Sequence, residues 1–353
     1  MSPNESQPTV ASTEQSQDAV VLQGTGGAWQ VRTDSGEQLE VSLRGRLKRE
    51  PGRDARARDM QDRGGGRESM RRSTRTDDAK PLKLTVGDRV TITADVAADA
   101  GDVSWAIDLI HPRRSQLARR SPGGARGERI MVANLDQVLV VFAAARPEPH
   151  PRMLDRFLVI AEANGLAARI VINKCELSDE AHIRAHFAEQ LAAGYPMHLT
   201  SVVTGEGLEA LRAEVEGRSS ALTGPSGVGK SSLMNRLFPG LALRTAEISE
   251  SVNKGRHTTV GAVLHPLPGG GFVADTPGLR EVGLWNIAPE ELAACFPEFR
   301  PLLTECRFAD CLHTVEPGCG IREAVKSGQV RPGRYDSYLK LRAELVEGAA
   351  DFW

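Results

Sequence analysis

The chain has 353 residues, a formal net charge of −2, 40% hydrophobic residues and 25% charged residues. These values exclude a globally basic nucleic-acid binder and a disordered chain, and the length predicts two or three domains. We expect no membrane span, because no run approaches about 18 apolar residues, and the polar residues 1–18 lack the apolar core of a signal peptide. A cytoplasmic location is therefore the expectation.

The N-terminal third predicts a β-domain over residues 19–125. Residues 1–18 are polar and aperiodic, which predicts a disordered tail. Alternating or β-branched segments then predict five strands, and five short strands favour an all-β barrel of the OB type. The predicted strands are Val20–Gln23, Ala28–Thr33, Gln38–Arg44, Arg89–Ala94 and Val103–Ile110.

Two charged stretches interrupt or follow this domain. The insertion at about 49–80 is dense in Arg, Asp and Gly and has almost nothing to bury, so it predicts a mobile loop that either touches RNA or is merely solvated. The second stretch sets six arginines against Glu128, and it favours RNA contact, with an exposed linker as the alternative. The six are Arg113, Arg114, Arg119, Arg120, Arg126 and Arg129.

Strand and helix patterns alternate over residues 130–285, which predicts a doubly wound α/β sheet with ligand loops at the carboxyl ends of its strands. The predicted strands are Gln137–Ala143, Ala168–Ile172, Met197–Thr200, Ser220–Thr223, Ala262–His265 and Gly271–Ala274. The predicted helices are Pro151–Asn164, Asp179–Ala193, Gly207–Glu216 and Ser231–Phe238.

A phosphate-binding loop stands at the centre of this domain. Its pattern is G-x-x-x-x-G-K-[ST], preceded by a strand and followed by a helix whose N-terminus favours an anion. Backbone N–H groups of the loop would contact the phosphates, Lys230 would bind the β- and γ-phosphates, and Ser231 would hold Mg²⁺. The loop and the first helical turn comprise Gly224, Pro225, Ser226, Gly227, Val228, Gly229, Lys230, Ser231 and Ser232.

Two further segments predict contacts with the γ-phosphate and Mg²⁺. Asp275-Thr-Pro-Gly278 follows an apolar strand, where Asp275 can hold a Mg²⁺-bound water and the Gly278 N–H can meet the γ-phosphate. The segment 253–259 fills the place of a first switch, and Thr258 or Thr259 would complete the Mg²⁺ shell. An apolar Leu279 follows Gly278, so we expect slow hydrolysis unless a partner or His257 positions the water.

A third strand end carries Asn173-Lys174-Cys175-Glu176, and Ser201 follows the next strand. These segments resemble the N-K-x-D and S-A motifs with which guanine-nucleotide proteins read the base. Glu176 replaces the Asp of that pattern and places its carboxylate one methylene further out, so guanine remains the prediction while selectivity against adenine is less secure.

The order of these motifs indicates a circular permutation. The base-reading segments precede the phosphate loop, whereas in the usual order they follow the D-x-x-G segment. Because the termini of compact domains often lie close together, joining them and cutting after the Asp275 strand keeps the same sheet. The segment after Gly278 then runs directly into the C-terminal domain, so nucleotide state can move that domain.

Residues 286–353 predict a mostly α-helical metal-binding domain. Three cysteines and one histidine lie within fourteen residues, which suits one tetrahedral structural Zn²⁺ with no open position. Helices are expected at Pro289–Phe296 and Arg334–Glu347. The predicted ligands are Cys306, Cys311, His313 and Cys319.

Along nearly its whole length the chain resembles the circularly permuted ribosome small-subunit biogenesis GTPases, the RsgA or YjeQ family. The resemblance implies an OB-fold, a permuted GTPase domain and a zinc domain. It also implies late binding to the small ribosomal subunit and its rRNA, with hydrolysis stimulated by the ribosome. The matching segments are Leu43–Gly45, Val86–Val90, Asn134–Asp136, Asn173–Lys174, Gly224–Ser231, Gly255–Thr259, Asp275–Gly278 and Cys306–Cys319.

We thus expect a monomer that uses GTP, Mg²⁺ and one Zn²⁺. Two other classes remain open from the residues alone. One is a P-loop ATPase of RNA metabolism, if Glu176 fails to select guanine. The other is an RNA-binding zinc scaffold with little hydrolysis.

Overall fold

The computed structural model describes residues 16–25, 27–44, 83–96, 103–120, 128–241, 243, 262–275 and 287–350. The chain divides into two compact units, one extending to Pro112 and one beginning at Arg113. The predicted insertion at 49–80 and most of the predicted tail lie outside the described residues.

The first unit is a closed five-stranded barrel with the order β1-β2-β3-β5-β4. β3 and β5 pair in parallel, and the other neighbours are antiparallel. Inward-facing aliphatic side chains, including Val21, Val31 and Ile92, form its core. The strands are β1 Ser16–Thr25, β2 Ala28–Thr33, β3 Gln38–Leu43, β4 Arg89–Val96 and β5 Val103–Ile110.

All five predicted barrel strands are present, and β2 and β5 have the predicted limits. β1 begins at Ser16, inside the segment 1–18 that the polar composition predicts as a tail. Pairing explains the difference, because Ser16–Val20 forms a ladder with β4 that composition alone does not reveal.

The second unit is built on a six-stranded sheet with the order β10-β9-β8-β11-β13-β12. Its strands are parallel except for the edge strand β12. A separate antiparallel hairpin of β6 and β7 belongs to the same unit. The strands are β6 Gln116–Arg120, β7 Glu128–Ala133, β8 Gln137–Ala143, β9 Ala167–Asn173, β10 Met197–Leu199, β11 Ser219–Thr223, β12 Val263–Pro266 and β13 Phe272–Asp275.

Successive side chains of the strand β8 point to opposite faces of the sheet, and both faces are apolar. Helices therefore cover both faces. Leu139 and Val141 belong to one core, and Phe142 meets Phe157 edge-to-face on the other side. The helices are α1 Pro151–Ala163, α2 Glu180–His186, α3 Ala188–Ala192, α4 Leu208–Val215, α5 Lys230–Leu237, α6 Gly320–Ser327 and α7 Pro332–Ala350.

Three local features differ from the sequence-based expectation. The basic stretch after residue 113 contains the β6–β7 hairpin, anchored by the buried pair Leu117 and Val132, and the barrel ends before it. The helix predicted at Asp179–Ala193 is divided at Phe187, a buried residue with φ of −108°. The predicted helix Pro289–Phe296 is reduced to a 3₁₀ helix at Leu292–Cys295.

The C-terminal elements share a hydrophobic core with α1 of the sheet domain. Val159 of α1 packs in one cluster with Phe296, Phe299 and Tyr338. Phe296 lies between two 3₁₀ helices, and Phe299 lies within the second of them. Tyr338 meets both rings edge-on. The second 3₁₀ helix spans Pro297–Glu305 and contains Pro301, which disfavours an α-helix there. The segment that carries the predicted metal ligands is therefore packed onto the sheet domain.

A buried charge network joins the same elements. The Arg334 guanidinium, 1% exposed, donates to Asp155 of α1 at 2.5 Å and to Glu298 at 2.7 Å. Asp155 also accepts hydrogen bonds from Ser337 and Gln190. Since every charge has a partner, the cost of desolvation is offset inside the interface.

No helix within the described ranges combines the length and the apolar character that crossing a membrane requires.

We predict that Arg334→Met destabilises the second unit by about 3–5 kcal/mol, because Asp155 and Glu298 would lose their buried cation. Differential scanning calorimetry measures the shift. Arg152→Met is the matched control, since the Arg152–Asp336 pair is exposed and its loss should cost less than about 1 kcal/mol. Equal shifts for the two variants would show that the buried pair does not hold the interface.

Candidate nucleotide-binding site and metal centre

The phosphate loop joins the central strand β11 to α5. Tight backbone contacts require glycine at two positions. A Cβ on Gly224 would lie 2.0 Å from the Val141 carbonyl oxygen, and one on Gly229 would lie 2.6 Å from Nδ2 of Asn173. Both residues also have positive φ angles, of 132° and 91°. The sequence pattern is thus explained by close packing of the loop against β8 and the end of β9.

The lysine and the serines of the motif lie on the first turn of α5. Lys230 Nζ donates to the carbonyl oxygens of Gly224 and Pro225 at 2.9 and 2.6 Å. Its ammonium group is therefore held over the loop. Ser231 and Ser232 are partly buried at the same helix end. This geometry presents a cation, hydroxyl groups and a helix N-terminus at one place, which suits a phosphate chain.

The first predicted base-reading segment contacts the predicted phosphate loop directly. Asn173, 2% exposed, donates from Nδ2 to the Val228 carbonyl at 2.9 Å and accepts from Thr200 at 3.4 Å. Lys174, with φ of 60°, donates from Nζ to the Gly227 carbonyl at 2.7 Å. The parallel strands β9 and β11 flank β8, so their carboxyl ends meet at one edge of the sheet.

The second base-reading segment follows β10. The fully buried Ser201 donates its N–H to the Glu206 carbonyl and accepts the Thr204 N–H on its hydroxyl, at 3.0 Å each. Cys175 N–H donates to Thr200 O at 3.1 Å, which brings the two segments together. Glu176 is exposed in the 3₁₀ turn Cys175–Leu177, where its longer side chain has room to move.

Two contacts at this edge are not apparent from the motifs. Lys174 Nζ also donates to the Arg146 carbonyl at 2.5 Å, in the connection between β8 and α1. The Cys175 thiol lies 3.5 Å from a carboxylate oxygen of Glu206. Burial and, to a smaller extent, the Glu206 charge together raise the pKa of Cys175 to about 11, so the thiol stays protonated and able to donate. Neither contact has a sequence signal, because backbone carbonyls and distant carboxylates leave no pattern.

The remaining predicted nucleotide contacts are only partly described. Asp275 ends β13, and the neighbouring residue Ala274 pairs in parallel with Ala221 of β11. The carboxyl end of β13 thus lies beside the start of the phosphate loop. The predicted residues His257, Thr258, Thr259 and Gly278 lie outside the described residues.

The four predicted metal ligands converge, with their ligand atoms all within 4.8 Å of one another. The His313 Nδ1 atom is 3.5 Å from Cys306 Sγ and 3.4 Å from Cys319 Sγ, and these two sulfur atoms are 4.0 Å apart. A tetrahedral Zn²⁺ with Zn–S distances of about 2.3 Å requires ligand separations of about 3.5–3.8 Å. The donor set suits Zn²⁺, the nitrogen–sulfur distances match these separations, and the wider sulfur spacing would have to contract around the ion.

The electrostatics of the cluster agree with a bound cation. Desolvation and the neighbouring thiols raise the pKa of Cys311 to about 12, because three thiolates at this separation repel one another. Burial lowers the pKa of His313, which favours the neutral imidazole that metals bind. A divalent cation would remove the repulsion between thiolates.

A carboxylate organises the loop that carries the histidine. Although desolvation opposes ionisation, hydrogen bonds from the backbone N–H groups of Glu316, Thr314, Leu312 and Val315 lower the pKa of Glu316 to about 2. This group is therefore ionised throughout the physiological range.

Comparison with known proteins identifies the family. Residues 110–285 match the family profile described as RsgA GTPase. A relative from Gemmatimonas aurantiaca, named small ribosomal subunit biogenesis GTPase RsgA, is 65% identical over 327 residues, covering 93% of this chain and 97% of the relative. The chain belongs to the RsgA GTPase family.

Other members of the RsgA family and two solved structures agree. A relative of the same name from Thermotoga maritima is 41% identical over 267 residues, 75% of this chain and 85% of the relative. The crystal structure of YjeQ from Thermotoga maritima has a TM-score of 0.70 at 33% identity and covers 94% of this chain and 99% of that one. YloQ, described as a circularly permuted GTPase, has a TM-score of 0.66 at 25% identity, with 94% and 96% covered.

RsgA family membership makes the chain a GTP hydrolase with a circularly permuted GTPase domain. The N-terminal barrel, the α/β sheet and the C-terminal Cys/His cluster confirm the predicted fold class.

We predict that Lys230→Ala weakens guanine-nucleotide binding by about 100-fold, or about 2.7 kcal/mol, because a charge-assisted contact to two phosphates is lost. Titration with a fluorescent GTP analogue measures the change. Lys326→Ala, which removes an exposed lysine paired with Glu323, is the control and should bind normally. Unchanged binding by Lys230→Ala would contradict the assignment of this loop.

We predict that purified protein carries one Zn²⁺ per chain and that Cys311→Ser loses it, since a hydroxyl is a poor zinc ligand and the metal contributes folding free energy to its loop. Elemental analysis measures the zinc content. Cys175→Ser is the control, because Cys175 contacts Glu206 instead, and it should keep its metal. Wild-type protein without zinc would refute the metal assignment.

Proposed function

We propose that this chain binds the small ribosomal subunit, assists its late maturation, and couples GTP hydrolysis to its own release. The proposed partner, the small ribosomal subunit, is inferred from the names of the relatives. The observation that carries the nucleotide part is the contact of Asn173 and Lys174 with the phosphate loop. That contact supports a nucleotide site in which the proposed base-reading and phosphate-binding segments share one sheet edge.

The residues at that edge have distinct proposed roles. Glu176 would accept hydrogen bonds from the guanine N–H groups, and Asn173 would select guanine together with it. The Lys174 stem would pack along the base, and a backbone N–H beside Ser201 would donate to the keto oxygen. On binding, Lys230 would exchange its bonds to the loop carbonyls for phosphate oxygens. The N–H groups from Gly224 to Ser232 would surround the phosphates, as the positive φ angles at Gly227 and Gly229 permit.

Ser231 and the predicted switch residue Thr259 would hold Mg²⁺, which neutralises charge on the β- and γ-phosphate oxygens. Asp275 would hold a water of the same ion, as its place at the end of β13 supports. Thr258 is the alternative to Thr259 as the Mg²⁺ ligand. Gly278 would donate its N–H to the γ-phosphate, and His257 would position the attacking water.

Binding of rRNA is also a proposal. Its support is local basic charge in a chain of net charge −2, together with an OB-type barrel, a fold that often binds nucleic acid. We further infer a monomer that acts in the cytoplasm and holds one structural Zn²⁺. With four protein ligands and no open position, that metal would stabilise the C-terminal segment and take no part in hydrolysis.

We predict that purified small ribosomal subunits raise GTP turnover well above the turnover of the protein alone, whereas large subunits do not. Steady-state phosphate release measures this. The Lys230→Ala variant gives the background rate, because it should bind nucleotide poorly. Turnover that is unchanged over a range of small-subunit concentrations would contradict ribosome-stimulated hydrolysis and favour an RNA-binding scaffold.

One observation bears on how strictly the site selects guanine, namely the exposed Glu176 at the position of a base-selecting Asp. We predict that GTP binds at least about tenfold more tightly than ATP, the value of one good hydrogen bond at about 1.4 kcal/mol. Isothermal titration calorimetry of both nucleotides decides this. Glu176→Asp should increase the ratio, and equal affinities in the wild-type protein would contradict a guanine-selecting role for Glu176.

A further inference from the structure

The loop between Cys311 and Cys319 folds around a single carboxylate. Glu316 accepts the Leu312 N–H on one oxygen at 3.2 Å, and on the other it accepts the N–H groups of Thr314 at 2.8 Å and Val315 at 3.0 Å. The Thr314 hydroxyl donates to the second oxygen at 3.4 Å. Both carboxylate oxygens are thus used within the loop.

These bonds fix an otherwise unfavourable backbone conformation. His313, the ligand between Leu312 and Thr314, has φ of 57°, a left-handed value that a non-glycine residue adopts at a cost. The N–H groups of both its neighbours point at Glu316. The carboxylate therefore holds the turn that aims the imidazole at the three sulfur atoms.

The opposite side of the loop is held by α7. The Tyr335 hydroxyl donates to the His313 carbonyl at 2.6 Å, and the Tyr338 hydroxyl donates to the Leu312 carbonyl at 2.8 Å. The Arg322 guanidinium in turn holds the Glu316 carbonyl at 3.0 Å. The backbone around His313 is thus fixed through its N–H groups by Glu316 and through its carbonyls by tyrosines.

We propose that Glu316 is a positioning residue that builds the metal loop before the metal binds, and that it thereby sets the affinity for Zn²⁺ and the rate of its release. The inference rests on the proposed zinc site. Without the carboxylate, metal binding would have to order the loop, and the entropic cost of that ordering would weaken the observed affinity for Zn²⁺. Glu316 does not itself bind the metal, because three thiols and one imidazole already complete a tetrahedron.

Glu316→Gln tests the proposal, because the amide keeps the size of the side chain but presents an NH₂ group to backbone donors. Competition with a chromophoric chelator measures Zn²⁺ affinity and release in the full chain. We expect affinity to fall about 10–100-fold, the usual effect of losing a group that orients metal ligands. The release rate should rise accordingly. Glu323→Gln, which changes an exposed glutamate of α6, should behave as the wild-type protein does.

A second readout separates positioning from a loss of ligands. With saturating Co²⁺, Glu316→Gln should still show the intense absorption of a tetrahedral Cys₃His site, because all four ligands remain. The apo forms of the variant and the wild-type protein should bind GTP equally, because the change is confined to the loop.

The outcomes distinguish the possible failures. If the wild-type chain does not bind Zn²⁺, the zinc site itself is wrong. If the wild-type chain binds tightly and Glu316→Gln has the same affinity and release rate, the positioning role is wrong. Should Glu316→Gln not fold, Glu316→Asp decides by the same criteria, because it keeps the charge but is one methylene too short to reach all three N–H groups.

Discussion

The buried contact of Arg334 with Asp155 and Glu298 is the constraint on which the arrangement of the second unit depends. A desolvated guanidinium tolerates little displacement of its partners, since each would otherwise be left as an unpaired charge. It links α7 to α1, and α1 follows directly from the central strand β8. Any movement of the C-terminal elements as a body must therefore carry α1 along or break this contact.

This constraint limits how a change of bound nucleotide can move the segment that carries the predicted metal ligands. The permuted order connects the segment after Asp275 directly to the C-terminal elements, and α1 offers a second connection through its shared core around Val159. The loop before α1 also contacts Lys174, through the Arg146 carbonyl. Within the described residues, the sheet edge that carries Lys174 and the helix α7 are thus connected through α1.

The sequence predicts the barrel, the sheet, the phosphate loop and the metal ligands because each has a local signal: alternation, glycine spacing or clustered cysteines. It does not predict the β6–β7 hairpin, whose strands are rich in arginine and lack an alternating pattern. It also misses the division at Phe187 and the partners of Asp155, Lys174 and Cys175. Those features arise from packing between residues far apart in the chain, which no local pattern records.

The helix α7 carries its two tyrosines and its arginine within two turns, so a single rigid element completes both the metal loop and the cover over α1. Because α7 follows every other described element of its unit, the buried Asp155 of α1 and the carbonyls of Leu312 and His313 lack these partners until this helix has been synthesised. The charge network and the metal loop should thus be completed late, as a consequence of where α7 is encoded.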